Sequence, residues 1–130
     1  MADLIYSMSV SLDGYIAGPD GEIDWSVPDV ELHRFHNERV RGAGTQLLGR
    51  RLYETMLYWE TTDESWGPVE TEFAEIWRPL PKVVFSRTLE EVEGNARLAT
   101  DTPVAEATRL KEESDRDLAV GGADLAATLI

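Results

Sequence analysis

Three short segments of the chain put ligand-accessible backbone beside groups that hold anions: Gly49-Arg50-Arg51, Ser86-Arg87, and Gly121-Gly122 with Ala123 and Asp124 behind it. A glycine pair lets backbone come within hydrogen-bond reach of a linked phosphate, whose charge is then met by free N–H groups. An arginine fork grips a terminal phosphate through two parallel N–H···O bonds. Each segment alone also has an ordinary structural reading, as a tight turn, a polar strand end or a helix-surface cation. The chemistry becomes specific only if the fold brings the three together, and their spacing is not the G-x-G-x-x-G of an ordinary dinucleotide site.

Other candidates are weaker. His33 and His36 lie three apart with Glu31 and Glu38 nearby, but the chain has no third histidine and no cysteine, so no metal site is expected and the pair reads as partly exposed helix surface. The absence of cysteine also excludes thiol catalysis and disulfides, and no G-x-S-x-G elbow is present. Asp13, Asp20, Asp24 and Asp29 crowd a turn-rich stretch in which Asp13-Gly14 and Asp20-Gly21 are turn formers before they are acid–base groups. Trp25 is placed to line a substrate pocket, whereas Tyr58, Trp59 and Trp66 read as core or loop anchors. No catalytic residue can be identified.

The elements that must position these groups follow from periodicity. "LIYSMSVSL", Leu4 to Leu12, alternates in period two, with Tyr6, Met8, Val10 and Leu12 on one face and small serines on the other, Ser9 among them; a small face admits a helix or a flat ligand. "LDGYIAGPDGEIDW" is a loop with apolar groups to dock. Pro28 opens a helix in which Leu32, Phe35 or His36, and Arg39 or Val40 recur at helical spacing. "TQLLG" is a short buried strand passing directly into the helix "RRLYETML". "YWETTDESWG" is a polar loop, and "PVETEFAEIW" is a helix. "KVVFSR" is a strand with a cationic end, "ARLAT" a weak strand, and Thr102-Pro103 the cap and first turn of a further helix. "DLAVGGADLAATLI" closes as strand, Gly-Gly, helix. This alternation predicts an α/β fold with helices on both faces of a parallel or mixed sheet, whose ligands sit beyond the carboxyl ends of the strands.

Twenty-five acidic residues against twelve basic ones give a formal net charge of −13 over 130 residues. That field repels nucleic acid and anionic membranes, so neither is expected as a partner and a small molecule is. Ten of the twelve cations are arginine, leaving only Lys82 and Lys111; acid-rich, lysine-poor surfaces suit high-salt cytoplasm, and an arginine-favouring genome produces the same bias. With 42% hydrophobic content, residues 1–130 suffice for one cored domain. No leader or membrane span is read at "MADLIYSMSV", so a soluble cytoplasmic protein is expected.

Three of the strands end in anion-competent residues, and their joint position suits a phosphorylated dinucleotide, NADPH, better than NADH, with Arg87 and either Arg50 or Arg51 on the extra phosphate. In this order, "VSLDGYIAGPDGEIDW", "LLGRRLYE", "RPLPKVVFSRTL" and "LAVGGADL" resemble the dihydrofolate reductase superfamily, in particular the branch similar to the C-terminal reductase domain of the bifunctional deaminase-reductase of riboflavin biosynthesis. The resemblance implies a three-layer α/β/α fold around a mostly parallel mixed sheet, with NADPH across the strand ends. It implies that the Gly14 to Trp25 loop closes over the nicotinamide with Ile16 and Ala17 near it. By the same resemblance Arg50, Arg51, Ser86 and Arg87 surround the adenosine 2′-phosphate, Gly121, Gly122, Ala123 and Asp124 the pyrophosphate, and Gly49 is a further cofactor-binding residue. Ser9, Asp13, Trp25 and Asp29 are the substrate-side candidates.

Three departures from the family pattern bear on function. Asp29 and Glu31 flank Val30, the position where folate-reducing enzymes carry an anchoring acid. Leu52 replaces a phosphate-binding hydroxyl, and Tyr58 to Gly67 is an insert. The family pattern also continues past the Gly-Gly helix, where this chain stops at Ile130. The expectation is a fragment, or a strand edge at Leu4 to Leu12 covered by a partner chain in a homodimer, with Tyr6, Met8 and Val10 poorly covered in the 130-residue form. The expected activity is NADPH-dependent reduction of a small heterocyclic or phosphoribosyl-pyrimidine-like compound, resembling 5-amino-6-(5-phosphoribosylamino)uracil reductase. The alternatives are a pterin reductase and a non-catalytic nucleotide-binding or oligomerisation module.

Overall fold

The computed structural model describes residues 2–8, 12–13 and 29–129. Five strands, β1 (Leu4–Tyr6), β2 (Thr45–Gly49), β3 (Lys82–Phe85), β4 (Ala96–Leu98) and β5 (Leu118–Gly121), form one sheet in the order β1-β5-β2-β3-β4. Five α-helices accompany them: α1 (Val30–Arg41), α2 (Arg50–Met56), α3 (Pro68–Trp77), α4 (Pro103–Glu113) and α5 (Ala123–Leu129). Every pairing among the described strands is parallel, in line with the parallel or mostly parallel sheet expected from sequence. Helical crossovers, and an irregular one between β3 and β4, return the chain to the same end of the sheet each time.

Period-two alternation divides the core into two layers. Leu47, Val83 and Val120 face Ala107 of α4 and Leu125 and Ala126 of α5. Leu48 and Val84 face the opposite way, against Tyr53 of α2, Phe73 and Trp77 of α3, and Leu80. Leu47 and Leu48 are adjacent in sequence and essentially fully buried on opposite faces, as only a central strand allows. Truncating either to alanine removes about 2–5 kcal/mol.

Local chemistry sets the helix ends. Asp29 caps α1 by accepting from the Leu32 N–H at 2.8 Å. Helix α1 therefore begins at Val30 rather than at Pro28. In α3, Pro68 occupies the first turn and Glu70 accepts from the Gly67 N–H at 2.7 Å. The other end is closed by Lys82, 4% exposed, whose Nζ donates to the Trp77 and Leu80 carbonyls at 2.6 and 2.8 Å and lies over the Trp77 ring. Burial lowers the Lys82 pKa, with Glu60 opposing the shift. Thr102 caps α4 as expected, accepting from the Ala105 N–H. Glu106 in that helix is completely buried, yet it is held by Arg97, Arg109 and the Thr100 N–H.

Two regions differ from the sequence reading. The inward stripe of α1 is His33, His36, Asn37 and Val40, whereas Leu32 and Phe35 are exposed. Asn37 is buried and ties α1 to α3 by donating to the Val69 carbonyl and to Glu72. The stretch read as a polar loop begins as a 3-10 turn, Leu57–Glu60, and delivers an aromatic array in which Trp59 contacts Tyr58, Trp66, Phe73 and His33. Its polar letters concealed rings that pack because Trp66 donates to the Tyr58 hydroxyl at 2.7 Å.

Strand β1 is shorter than the predicted Leu4 to Leu12. It pairs only with β5 among the described residues, and Ile5, Tyr6 and Met8 are 38%, 39% and 45% exposed. Val10 lies outside the described residues.

Candidate functional site

Register brings the three anion-competent segments to one edge. Gly49 pairs with Phe85, and Leu48 pairs with both Val84 and Gly121, so β2, β3 and β5 end level with one another. The chain leaving each strand, at Arg50-Arg51, Ser86-Arg87 and Gly122-Asp124, lines a single cleft of about 670 Å³. Asp101 and Pro103, at the start of α4, close its far side.

The glycine pair serves two different ends. Gly122 has φ +104°, a conformation strained for any residue with a Cβ. Gly121 has no room for one: a Cβ there would stand 2.2 Å from Leu52 Cδ2 and 3.2 Å from Leu48 Cδ2. Leu52, which departs from the family pattern, thus packs directly over the end of β5 and joins α2 to the glycine turn.

The cations are not equivalent. Arg50 is held by Glu54 one turn along α2, at 2.8 Å. Arg51 and Arg87 are exposed and form no ion pair among the described residues, which separates Arg51 from Arg50 where the sequence alone left them alternatives. The Ser86 hydroxyl accepts from the Thr88 and Leu89 N–H groups, both at 3.1 Å, and so shapes the turn that carries Arg87. Arg50, Arg51 and Arg87 against Asp101 and Asp124 leave a formal surplus of one positive charge (3 − 2) in a chain of net charge −13.

A second pocket of about 360 Å³ adjoins the first and shares Leu52 with it. Its floor is the sheet face formed by Ile5, Gln46, Leu48, Ala119 and Gly121, and its walls are His36, Arg39 and Val40 of α1, with Met56, Phe73 and Trp77 beyond. The wall is braced by His33, whose ring lies 5.9 Å from that of Trp59 and 5.7 Å from that of Phe73. Desolvation lowers the His33 pKa, Glu70 and Glu72 oppose this, and His36 adds to it.

The cofactor-side residues Gly49, Arg50, Arg51, Ser86, Arg87, Gly122, Ala123 and Asp124 all line the larger cleft, while Gly121 lines the smaller one. Ser9, Ile16, Ala17 and Trp25 lie outside the described residues. Of the remaining substrate-side candidates, Asp29 is engaged as the α1 cap, and neither Asp29 nor Asp13 lines either cleft. Sequence reasoning missed Gln46, His36 and Arg39 as lining groups; the available signal was one carboxamide inside the apolar run "TQLLG". Among the described residues no cluster of His, Asp or Glu could hold a metal ion, and no helix is long and apolar enough to cross a membrane.

A parallel sheet with a ligand-sized cleft across three strand ends, entered by the Gly122 turn and by two arginines that form no ion pair among the described residues, defines an α/β protein with a dihydrofolate reductase-like fold. The chain belongs to the RibD C-terminal domain family, whose model matches residues 2–130. It is 33% identical over 133 residues to the uncharacterized protein YyaP of Bacillus subtilis (strain 168), covering 98% of this chain and 66% of that protein. It also shares its fold, with a TM-score of 0.66 and 23% identity, with a crystal structure of a protein provisionally assigned to riboflavin biosynthesis from Shewanella sp. PV-4; the match covers 97% of this chain and 67% of the other. The chain spans about two thirds of the length of each of these two proteins.

Proposed function

We propose that the protein is an NADPH-dependent reductase of a small heterocyclic substrate of the phosphoribosyl-pyrimidine type. The observation that carries this reading is the convergence of Gly49-Arg51, Ser86-Arg87 and Gly122-Asp124 on one cleft. Membership of the RibD C-terminal domain family and the shared fold of the Shewanella protein support it.

NADPH, when bound, supplies a hydride to an unsaturated carbon or imine of the substrate. The residues of this chain bind and orient. Arg51 and Arg87, without carboxylate partners among the described residues, are the groups available to a 2′-phosphate. The positive-φ turn at Gly122 exposes backbone to the linked phosphates. Leu52 and Gly121, where the two clefts meet, set the boundary between cofactor and substrate. Leu48, Leu52, Phe73 and Trp77 give the smaller pocket an apolar lining, which supports assigning the substrate ring to it. The engagement of Asp29 at the α1 cap speaks against a pterin reductase, which needs a carboxylate facing the ring.

The test follows cofactor absorbance with the protein, NADPH, and either a ribosylaminopyrimidine phosphate or dihydropterin. Oxidation of NADPH with the aminopyrimidine, faster than with NADH, is the expected result. Binding of NADPH with no turnover on any heterocycle would leave a nucleotide-binding module and contradict the reductase reading.

A further inference from the structure

Gln46 is an anomaly of position. It is the second residue of the central strand β2, flanked by Lys82 of β3 and Ala119 of β5, and it is 7% exposed. Alternation places its side chain on the same face as Leu48, under α1 and α3, where it lines the 360 Å³ pocket. Its backbone N–H is bonded to the Pro81 carbonyl at 2.9 Å, but its carboxamide has no hydrogen-bond partner among the described residues. Of the polar groups nearest it, Lys82 on the paired strand is committed to the Trp77 and Leu80 carbonyls and the Asp117 carboxylate to the Asp3 N–H, while His36 and Arg39 line the same pocket from α1. A central-strand position of this kind normally carries Val or Ile; here the carboxamide lines the cavity and is not among the fully buried unpaired polar atoms of the described residues, of which Asn37 Oδ1 is the one example. A carboxamide fixed on a rigid strand, nine-tenths buried and facing a cavity, fits a group retained for a ligand.

We infer that Gln46 is the specificity-determining residue of the smaller pocket and that it reads a neutral ligand edge presenting one donor beside one acceptor, the cis-amide of a lactam or pyrimidinone ring. A carboxamide offers an acceptor at Oε1 and a donor at Nε2 in one plane, and a cis-amide returns the complementary pair. A carboxylate would instead select a protonated amidine, but among the described residues the pocket has no buried carboxylate: the one acid lining it there, Asp117, is exposed and already accepts from the Asp3 N–H. Leu48 and Leu52 beside Gln46 supply apolar surface for a planar ring. The cavity volume is at the lower end of the roughly 300–1,000 Å³ range of small-molecule sites, which suits one heterocycle rather than an extended conjugate. This inference rests on the reading that the smaller pocket takes the substrate.

The test uses the fact that Gln46 is the only glutamine in the chain. Protein carrying nitrogen-15 in the glutamine side chain gives one carboxamide signal pair, which is followed during titration with uracil as the neutral lactam probe and with 2,4-diaminopyrimidine as the amidine probe. The expected result is a saturable shift with uracil. Gln46→Leu, a near-isosteric apolar change, then weakens uracil binding about tenfold or more while NADPH affinity stays within about twofold, and Gln46→Glu reverses the preference toward the diaminopyrimidine. No uracil binding, an unmoved signal at saturation, or equal uracil affinity in Gln46→Leu would overturn the assignment. Loss of NADPH binding with the Gln46 response intact contradicts the proposed function and leaves Gln46 standing, whereas NADPH binding with a silent Gln46 contradicts only this inference. The signal of the unaltered protein decides the matter even if a variant fails to fold.

Discussion

The larger cleft is assembled from backbone and long cationic side chains where β2, β3 and β5 end, whereas the smaller pocket is walled by whole helices standing over the sheet face. In the first, the groups that meet a ligand are consecutive in sequence, because a strand end and the turn after it form a single local unit. In the second, neighbours such as Gln46, His36 and Phe73 come from three elements and meet only after folding. The two also differ in polarity: arginines and aspartates line the larger cleft, and leucines and aromatic rings dominate the smaller. A charged extended ligand part is suited to the one and a flat ring to the other, with Leu52 common to both.

The comparison can be broken most severely through the support of the larger cleft. Glu106 is fully buried in α4, whose start closes that cleft, and the pair Arg97→Met and Arg109→Met would leave it only the Thr100 N–H. A loss of about 3–5 kcal/mol in denaturant unfolding is expected, because an unpaired charge is then left in the interior. Next in size is cofactor recognition. Arg51→Ala or Arg87→Ala should remove about 1.5–3 kcal/mol of NADPH affinity and leave NADH nearly unchanged, eroding the preference by one to two decades in calorimetry. Equal losses for both cofactors would assign these arginines to general electrostatics rather than to the 2′-phosphate.

The junction is tested by Gly121→Ala, which should destabilise by about 1–3 kcal/mol through overlap with Leu52 and be partly relieved by Leu52→Ala in a double-mutant cycle. Additive effects would show that the two residues do not share this contact. The smallest effect concerns the wall of the apolar pocket. His33 has its pKa lowered below the ordinary 6.5 by desolvation, so the unfolded chain binds its proton first. Its contribution to stability is therefore complete above 6.5 and is lost as pH falls through the lowered folded value. The gap in melting temperature between the unaltered protein and His33→Leu should narrow or reverse as pH falls from about 7.5 to 5.5; a gap that does not change with pH would contradict the assignment.

These regions were unequally legible in the sequence. Strands β2, β3 and β5 and helices α3 and α4 followed from apolar runs, Pro at the first turn and the Thr102 cap, since such signals are local. The strand-end cleft followed too, because register in a parallel sheet aligns the residues after each strand. In helix α1 the periodicity leaves Phe35 or His36 and Arg39 or Val40 open beside Leu32; the fold selects His36 and Val40 and adds His33 and Asn37 in place of Leu32, because α3 and the Trp59 array offer hydrogen-bond acceptors and ring edges. Gln46 carried a visible oddity in "TQLLG", but its meaning depended on a cavity made by elements distant in sequence. Leu52 was legible only as a lost hydroxyl; its packing over Gly121 required the fold.

Amide hydrogen exchange with and without NADPH tests the central claim most directly, since it reports on all three strand ends at once. The account predicts new protection at Gly49 to Arg51, Ser86 and Arg87, and Gly122 to Asp124 together, with little change along α1. Protection confined to one of these segments, or appearing at α1 and β1 while the strand ends stay unchanged, would contradict it.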